Sequence, residues 1–482
     1  MRYCVLLAVL VSVFSVAMAE KPNVIIIFND DQGYQDLGCF GSPDIKTPRV
    51  DQLAREGVRF TDFYVGAPVC SASRAALMTG CYPRRVGVNG VFFPNRGHNG
   101  LNPKYVTIAE VLKSVGYATA AVGKWHLGDE IQFLPTHQGF DSYFGIPYSN
   151  DMTPAKNMKY AKDCLFREGF SLDKLKKAFA GELFKGAPRE LKRKVPLMRG
   201  DKCIEFPADQ STLTRRYADE GISFITRSVK SKKPFFLYLA NTMPHVPLYA
   251  SEDFKGKSKR GLYGDVIEEI DYHTGRILDH LKALGIEKNT IVIFSSDNGP
   301  WLTQGANGGC ALPLFEGKFT CFDGGQRVPF IIRWPARIPA GTVCSKVAAT
   351  IDLLPTLAHI TGAALPDMKL DGKNILDLWI NGNDAKSPHE YYFFRDNAVR
   401  WGDWKYHRRE IFEVKATARD TKPPTLYNLR DDIGESKNVI AEHPDIAARL
   451  ARALEAHIQY CSQLADPPAP ALRRDSEKAK TD

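Results

Sequence analysis

Continuous runs of apolar residues constrain the fold of this 482-residue chain more than any other feature. Three of them read NVIIIFN (23–29), PFFLYLAN (234–241) and TIVIFSSDN (290–298). Runs without polar alternation are typical of strands buried on both faces of a sheet. A helical pattern, VIEEIDYHTGRILDHLKAL (266–284), lies between the last two. Strands that alternate with helices predict an α/β fold, with a large mixed, mostly parallel sheet sandwiched by helices.

The second half of the chain predicts a smaller α+β subdomain. Composition shifts near 366–385, and the short strand patterns EYYFFRD, VRWGDWKYH and LYNLR then precede an amphipathic helix. We expect a large domain over 20–370 and a C-terminal subdomain over 371–465, with a short antiparallel sheet and a helix. Residues 153–208 form a basic insertion within the large domain, and the tail 466–482 has a disordered composition.

The first 19 residues read as a cleavable signal peptide. Arg2 supplies the positive end, an apolar core follows, and small residues end at Ala19. This run is too short for a comfortable membrane span, and no longer one follows. We therefore expect a secreted or periplasmic protein, most consistent with a bacterial source, without a stable membrane anchor.

The formal net charge is +9, a modest excess that is typical of a solvated surface. It is compatible with acidic or sulfated ligands. Nucleic acid is not an expected partner, because the chain carries an export signal and no recognised nucleic-acid-binding motif.

The cysteine count leaves one thiol over. Of ten cysteines, Cys4 leaves with the signal peptide, so nine remain in an exported protein. Cys70 is the candidate for the unpaired thiol because its surroundings carry other reactive groups. Two plausible local disulfides join Cys164 to Cys203 and Cys310 to Cys321, although spacing does not determine connectivity.

Polar side chains follow two of the buried strands. Asp30 and Asp31 end the first strand, and Asp297 and Asn298 end TIVIFSSDN. In open α/β sheets, ligands bind outside the carboxyl ends of strands. Three carboxylates and an amide oxygen there would suit Ca²⁺ or Mg²⁺. The alternative is turn chemistry, since Asp and Asn favour strand ends for structural reasons.

Four basic side chains lie near other strand ends. GKWHLG contains Lys124 and His126, His245 follows PFFLYLAN, and Lys318 lies in a glycine-bounded loop. The lysines could hold a tetrahedral anion, and the histidines could transfer protons near neutral pH. A solvated or structural role is the alternative for each residue alone.

Cys70 and Arg74 lie at the start of a predicted helix, in APVCSASRAALMTG (67–80). A thiolate beside arginine at a helix N-terminus is a reasonable nucleophile. The tyrosine-phosphatase loop, however, has five residues between Cys and Arg, and here there are three. Thiolate is also a poor ligand for Ca²⁺ or Mg²⁺. A thiol beside an oxygen-rich metal site is a chemical mismatch unless the sulfur is replaced.

CSASRAALMTG matches the signature of the type I, formylglycine-dependent sulfatases, Cys-x-(Pro/Ala)-Ser-Arg followed by Leu-x-Thr-Gly. The matching residues are Cys70, Ala72, Ser73, Arg74, Leu77, Thr79 and Gly80. Further matches run in family order through most of the mature chain, and are thinnest over 150–210. The chain thus resembles the arylsulfatase A and galactosamine-6-sulfatase group of the alkaline-phosphatase-like superfamily.

The resemblance implies a role for each candidate residue. Cys70 would be oxidised by a formylglycine-generating or sulfatase-maturing enzyme to Cα-formylglycine, whose hydrate is an oxygen nucleophile and an oxygen ligand. Asp30, Asp31, Asp297, Asn298 and matured Cys70 match the ligands of Ca²⁺, with Mg²⁺ the less favoured ion. Arg74 matches the residue that holds the hydrate. Lys124 and Lys318 match the sulfate-binding lysines, His126 the base that helps break the sulfated intermediate, and His245 the sulfate contact that protonates the leaving alcohol.

The resemblance therefore predicts a sulfuric ester hydrolase, with the large domain catalytic. A soluble sulfated carbohydrate is the expected substrate, and the basic insertion could line its groove or form exposed surface. Arg96 and His98 could shape the pocket. Two alternatives stay open: a phosphatase or phosphonate monoester hydrolase on the same scaffold, and a non-catalytic binder of sulfated glycans if Cys70 is not matured.

Overall fold

A computed structural model describes residues 21–95, 100–180, 189–419 and 422–465. The predicted signal peptide, the C-terminal tail, Arg96 and His98 lie outside these ranges. The strands are β1 (Asn23–Asn29), β2 (Val58–Phe60), β3 (Phe63–Tyr64), β4 (Ala118–Gly123), β5 (Ser142–Gly145), β6 (Lys159–Phe166), β7 (Leu197–Arg199), β8 (Lys202–Phe206), β9 (Phe235–Ala240), β10 (Thr290–Ser296), β11 (Phe330–Arg333), β12 (Thr342–Cys344), β13 (Ala348–Ala349), β14 (Tyr392–Phe394), β15 (Ala398–Trp401), β16 (Trp404–His407) and β17 (Thr425–Asn428). The α-helices are α1 (Pro48–Arg55), α2 (Cys70–Thr79), α3 (Ile108–Ser114), α4 (Leu172–Ala180), α5 (Leu213–Lys230), α6 (Leu262–Ala283), α7 (Asp323–Gln326), α8 (Leu353–Thr361), α9 (Leu376–Asn381) and α10 (Pro444–Leu464). None of the helices described has the length and apolar character needed to cross a membrane.

Eleven strands form the main sheet, in the order β12-β2-β11-β10-β1-β9-β4-β5-β7-β8-β6. The central strands β10, β1, β9, β4 and β5 are parallel to one another. Strand β11 is antiparallel to both of its neighbours. The large mixed, mostly parallel sheet predicted from the sequence is confirmed.

Strand β1 shows why its sequence lacks polar alternation. Ile25 and Ile27 belong to one apolar cluster, and Ile26 and Phe28 belong to the cluster on the other face. Helices α1, α5 and α6 contribute to the first cluster, and α2, α3 and α8 to the second. Each fully buried aliphatic side chain contributes about 1.5–3 kcal/mol. Both faces of the strand therefore have to be apolar.

The basic insertion extends the main sheet. Its strands β7, β8 and β6 add to the edge formed by β5. Helix α4 packs Leu175 and Phe179 inward, while Lys174, Lys176 and Lys177 are exposed. The lysines of α4 therefore belong to the solvated surface.

The C-terminal region forms the predicted α+β unit. Strands β14, β15, β16 and β17 make an antiparallel sheet in sequence order. Helix α10 packs Leu450 and Leu454 into a cluster with Val399 and Leu426 of that sheet. The short antiparallel sheet and helix expected from the sequence are confirmed.

The nine cysteines of the described chain are free thiols. The Cys164 and Cys203 sulfur atoms, on strands β6 and β8, form a thiol–thiol hydrogen bond at 3.9 Å, so the expected disulfide between them is not formed in this structure. The expected pair of Cys310 and Cys321 is wrong in this structure. Cys310 donates to the Gln35 side chain and Cys321 donates to the Phe394 carbonyl, so the loop between them carries each sulfur into different surroundings.

Candidate active site

The carboxyl ends of β1 and β10 bring four predicted side chains together. The two strands are parallel neighbours, with Asn29 opposite Ser296, so the residues that follow each strand lie side by side. The Asp31 backbone N–H donates to Asp297 Oδ1 at 3.1 Å. Asn298 Nδ2 donates to Asp31 Oδ1 at 2.7 Å. Pairing of two distant segments thus builds one oxygen-rich cluster.

Helix α2 brings Cys70 to this cluster. Cys70 is the first residue of the helix, which is buried along its whole length and ends at Gly80 in the left-handed conformation (φ 67°). A helix that is buried on all sides lies inside a protein core. One ligand atom each of Cys70, Asp30 and Asp297 lies within 4.8 Å of the others.

Arg74, one turn further along α2, is fully buried and bridges the cluster to the neighbouring strands. Its Nη2 and Nε donate to Asp297 Oδ2 at 2.9 and 3.1 Å. Its Nη1 donates to the Lys124 carbonyl at 3.0 Å and contacts Tyr238 Oη at 3.1 Å. These contacts satisfy the buried guanidinium and hold the start of α2 against the sheet.

Both lysines and His245 join the same cluster through short contacts. Lys124 Nζ lies 2.5 Å from Asp30 Oδ2, and Lys318 Nζ lies 2.7 Å from Asp31 Oδ2. His245 Nε2 lies 3.6 Å from Asp31 Oδ2. All these side chains are nearly or fully buried. Cations and carboxylates therefore neutralise each other in a volume closed to bulk solvent.

His126 lies beside the cluster with one nitrogen engaged and one free. Its Nε2 is 2.9 Å from the Phe92 carbonyl oxygen, which only an N–H can contact favourably. Its buried Nδ1 has no hydrogen-bond partner among the described residues. His126 and Asp31 both have positive φ values, 59° and 64°. Non-glycine residues rarely adopt this conformation, and such strain often occurs at functional sites.

Burial and neighbouring charges shift several pKa values here. Burial raises the pKa of the Cys70 thiol, and burial together with Lys124 holds the pKa of His126 well below its usual range. Burial and the Asp30 charge raise the pKa of Asp297. Burial acts in the same direction on Asp30, but attraction to Lys124 and His245 outweighs it and lowers the pKa of that carboxyl. The unmodified thiol and the His126 imidazole are thus neutral near pH 7.

Two buried oxygen atoms of the cluster have unused capacity to accept a ligand. Asp30 Oδ1 and Asn298 Oδ1 are buried and accept no hydrogen bond from the described chain. A buried oxygen without a partner is costly, and a bound cation would remove that cost. Hard oxygen donors of this kind suit Ca²⁺ or Mg²⁺.

Sequence reasoning missed several residues that touch this site. Ser149 Oγ lies 3.3 Å from Lys124 Nζ and 3.4 Å from the His245 ring nitrogens. Asn150 Oδ1 lies 3.1 Å from His245 Nδ1. Both follow β5, a strand not recognised in the sequence, so their position after a strand end gave no signal. Tyr238 could have been noticed as a hydroxyl in the otherwise apolar β9 run.

Comparison with known proteins agrees with this geometry. The family model described as Sulfatase matches residues 22–363. The chain belongs to the sulfatase family. A second model, N-sulphoglucosamine sulphohydrolase, C-terminal, matches residues 313–460.

Individual sulfatases resemble this one over nearly their whole length. It is 36% identical to human (Homo sapiens) arylsulfatase A in a 466-position alignment that covers 91% of this chain and 87% of the relative. It is 37% identical to N-acetylgalactosamine-6-sulfatase of Canis lupus familiaris in a 475-position alignment that covers 91% of this chain and 86% of the relative. The crystal structure of Ps i-CgsB in complex with k-i-k-neocarrahexaose is similar with a TM-score of 0.75 and 31% identity, covering 94% of this chain and 96% of that one. The protein is therefore a sulfatase, a sulfuric ester hydrolase.

Proposed function

We propose that this sulfatase removes sulfate from a sulfated carbohydrate, with Cys70 matured to formylglycine and Ca²⁺ bound beside it. One observation carries the proposal. Asp30 Oδ1, in the group with Cys70 and 3.8 Å from Arg74 Nη2, and Asn298 Oδ1, beside Asp31, are buried and accept no hydrogen bond from the described residues, in a cluster that also contains two lysines. This arrangement combines a metal site, a nucleophile position and an anion site.

Ca²⁺ would be held by Asp30, Asp31, Asp297 and Asn298, together with the oxygen that replaces the Cys70 sulfur. The donor set fits, since the four side chains offer oxygen ligands at the ends of two adjacent strands and α2 brings residue 70 to them. Ca²⁺ is favoured over Mg²⁺ because it tolerates irregular coordination. Bound, the cation would offset negative charge on the reacting group.

Formylglycine would supply, as its hydrate, the oxygen nucleophile that attacks sulfur. The unmodified Cys70 thiol suits neither nucleophilic attack nor metal binding. It is neutral near pH 7, and sulfur is a poor ligand for Ca²⁺. Arg74 holds this end of α2 through Asp297 and the Lys124 carbonyl, so the nucleophile position is fixed relative to the carboxylates.

Three donors would hold the sulfate group. Lys124 and Lys318 offer ammonium groups, and His245 Nε2 lies near Asp31, the carboxylate that also contacts Lys318. Ser149 links Lys124 to His245 and can contribute a further hydroxyl. Donors fixed in a buried site stabilise charge that develops in the transition state more than donors in water do.

The two histidines suit opposite proton transfers. His245 Nδ1 faces two acceptors, Asn150 Oδ1 at 3.1 Å and the Val246 carbonyl at 2.6 Å, so Nδ1 carries a proton. Its Nε2 then faces the site and, in the imidazolium form, can donate to the leaving alcohol. His126 is neutral, with its proton on Nε2 and a free lone pair on Nδ1, so Nδ1 can accept a proton from the nucleophile position.

A carbohydrate substrate and export from the cell are parts of the same proposal. Ps i-CgsB was crystallised in complex with a neocarrahexaose, and N-acetylgalactosamine-6-sulfatase is named for a sugar sulfate. We propose a secreted or periplasmic enzyme with residues 1–19 removed. Its catalytic domain would cover 20–370 and its C-terminal subdomain 371–465. Its partners would be the sulfated glycan and the enzyme that matures Cys70.

The test uses full-length protein produced with and without a formylglycine-generating enzyme. We expect the peptide that contains Cys70 to lose about 18 Da on maturation, an estimate from replacing CH₂SH by CHO. Matured protein should release sulfate from sulfated oligosaccharides, and Cys70→Ala should not. Faster hydrolysis of aryl phosphate than of any sulfate ester would favour a phosphatase instead. Sugar binding without maturation or turnover would favour a non-catalytic binder.

A further inference from the structure

We infer that Trp301 is a specificity-determining residue that contacts the alcohol part of the substrate, and that Glu413 of the C-terminal subdomain positions it. The inference rests on the proposed function, because it takes His245 as the side from which the alcohol leaves. It adds a residue outside the sulfate-binding cluster and a role for a loop of the other subdomain.

Trp301 lies where the buried cluster meets solvent. Its ring centroid is 5.6 Å from that of His245, and Lys318 Nζ lies 4.7 Å from the indole centroid. Phe319 packs edge-on against it at 5.6 Å. Lys318 and His245 are almost fully buried, whereas Trp301 is half-buried and Phe319 is 37% exposed. The two aromatic rings therefore form the outer border of the site on the His245 side.

The chemistry of this border differs from that of the cluster behind it. Sulfate needs cations and hydrogen-bond donors, which Lys124, Lys318 and His245 provide. An indole offers a flat apolar face with a polar N–H at its edge. A pyranose ring has a matching character, with a face of C–H groups and a rim of hydroxyls. Binding sites commonly combine such aromatic surface with a few placed polar groups. A sugar whose sulfate lies among the lysines would meet the indole next to its leaving oxygen.

Glu413 fixes the segment that carries Trp301. It belongs to the loop between β16 and β17, in the C-terminal subdomain. Its Oε2 accepts from the Leu302 N–H at 3.2 Å, and its Oε1 accepts from the Thr303 N–H at 2.9 Å and from the Thr303 hydroxyl at 3.0 Å. Both carboxylate oxygens thus hold the backbone that directly follows Trp301.

The same loop also reaches the segment of Lys318. The Glu413 N–H donates to Glu316 Oε2 at 3.1 Å, and the Thr417 hydroxyl donates to Glu316 Oε1. Glu316 is 3% exposed and lies two residues before Lys318. The loop therefore joins the segment of the aromatic border to the segment of the sulfate-binding lysine. Loss of Glu413 should displace Trp301 while α2 and the carboxylate cluster remain in place.

The first experiment separates sugar binding from sulfate binding. Trp301→Leu keeps an apolar side chain without an aromatic face, and Trp301→Phe keeps the face. The probes are N-acetylgalactosamine 6-sulfate and galactose 6-sulfate as substrates and inorganic sulfate as a competitive inhibitor. We expect Trp301→Leu to raise KM for the better sugar sulfate at least tenfold, and Trp301→Phe to stay within about threefold of the wild type. The Ki of inorganic sulfate should change less than threefold in both, because sulfate lacks the alcohol part.

The second experiment tests the positioning role of Glu413. Glu413→Ala should raise KM several-fold in the wild-type background and have little further effect in Trp301→Leu, because contacting residues that act through one another are not additive. Lys415→Ala, an exposed change in the same loop, is the matched control and should leave KM unchanged. Equal effects of Glu413→Ala in both backgrounds would contradict the positioning role.

A binding measurement does not depend on turnover. Calorimetry on Cys70→Ala protein should show a Kd for the same sugar sulfate that rises at least tenfold with Trp301→Leu. If the wild type hydrolyses the sugar sulfates but Trp301→Leu leaves both KM and Kd within twofold, the Trp301 inference is wrong and the proposed function stands. If the wild type hydrolyses aryl sulfate but neither binds nor hydrolyses any sugar sulfate, the proposed carbohydrate substrate is wrong, and the Trp301 inference is then wrong as well.

Discussion

Arg74 on α2 donates through Nη2 and Nε to the same oxygen of Asp297, at 2.9 and 3.1 Å, and both side chains are fully buried. The pair joins α2 to the end of β10, and the two residues are 223 positions apart in the sequence. It therefore couples the position of Cys70 to the carboxyl end of β10, inside the main sheet.

Arg74→Met should destabilise the metal-free protein by about 3–5 kcal/mol, because it leaves Asp297 and Asp30 without their buried guanidinium partner. Urea unfolding in the presence of a chelator measures this difference. Arg49→Met is the control, since Arg49 pairs with Asp279 at 2.6 Å on the surface with exposures of 31% and 64%. It should cost less than about 1 kcal/mol. Similar losses for the two variants would contradict the structural role of Arg74.

Asn298→Ala should weaken Ca²⁺ binding about tenfold or more, because it removes a buried oxygen that has no other partner in the described chain. The readout is the rise in unfolding temperature on adding Ca²⁺ to chelator-treated protein. At 100 times the Kd, binding stabilises the native state by about 2.7 kcal/mol. Asn150→Ala is the matched control, because the Asn150 amide oxygen faces His245 instead. If Ca²⁺ raises the unfolding temperature of Asn298→Ala as much as that of the wild type, Asn298 is not a ligand of the ion.

The His389–Asp352 pair should make stability depend on pH. His389 Nε2 lies 2.8 and 2.9 Å from the two oxygens of fully buried Asp352. Burial alone would lower the pKa of His389, but attraction to Asp352 outweighs it, so the net pKa is raised above 6.5. A raised histidine pKa stabilises the folded state below the unfolded pKa, and this contribution is lost as pH rises through the folded pKa.

His389→Gln should accordingly lose about 1–3 kcal/mol at pH 5.5 and less at pH 8.5, relative to the wild type. The measurement is urea unfolding at both values. His443→Gln serves as control, since His443 lies outside the Asp352 pair. A loss for His389→Gln that is independent of pH would show that the pair does not carry the charge assigned to it.

Lys405 should hold the C-terminal sheet to the catalytic region. Its Nζ lies 2.7 Å from Asp323 Oδ1 and 3.0 Å from Glu435 Oε1, with all three side chains fully buried. Lys405→Met should cost about 3–5 kcal/mol because both buried carboxylates then lose a cation in direct contact, and Asp323 keeps, among the described residues, only its pair with Arg327 at 3.2 Å. Adding Asp323→Asn should recover part of that loss.

The control for Lys405 is Lys437→Met, which removes an exposed partner of Glu442 and should cost under about 1 kcal/mol. The measurement is the free energy of unfolding from thermal unfolding of Lys405→Met, the double variant and Lys437→Met, each compared with the wild type. If Lys405→Met and the double variant were equally unstable, charge imbalance would not explain the loss.

The sequence by itself determined the elements whose signal is local. Apolar runs on β1, β9 and β10 identified buried strands because each lies between helices on both faces. Polar residues directly after those strands, such as Asp30 and Asp297, were identifiable because ligands collect at the carboxyl ends of parallel strands. The signature around Cys70 identified the family, as the family model then confirmed.

Only the tertiary structure decided which of these segments meet. The order β10-β1-β9-β4 places Asp31 beside Asp297 and carries Lys124 to Asp30, and nothing in any one segment encodes that order. Ser149 follows a strand that is too short to recognise in the sequence. Glu413 accepts a hydrogen bond from Leu302, which lies 111 positions earlier in the chain. Local sequence sets which strands and helices form, whereas long-range pairing and burial set which side chains become neighbours, because those contacts depend on the whole packed chain at once.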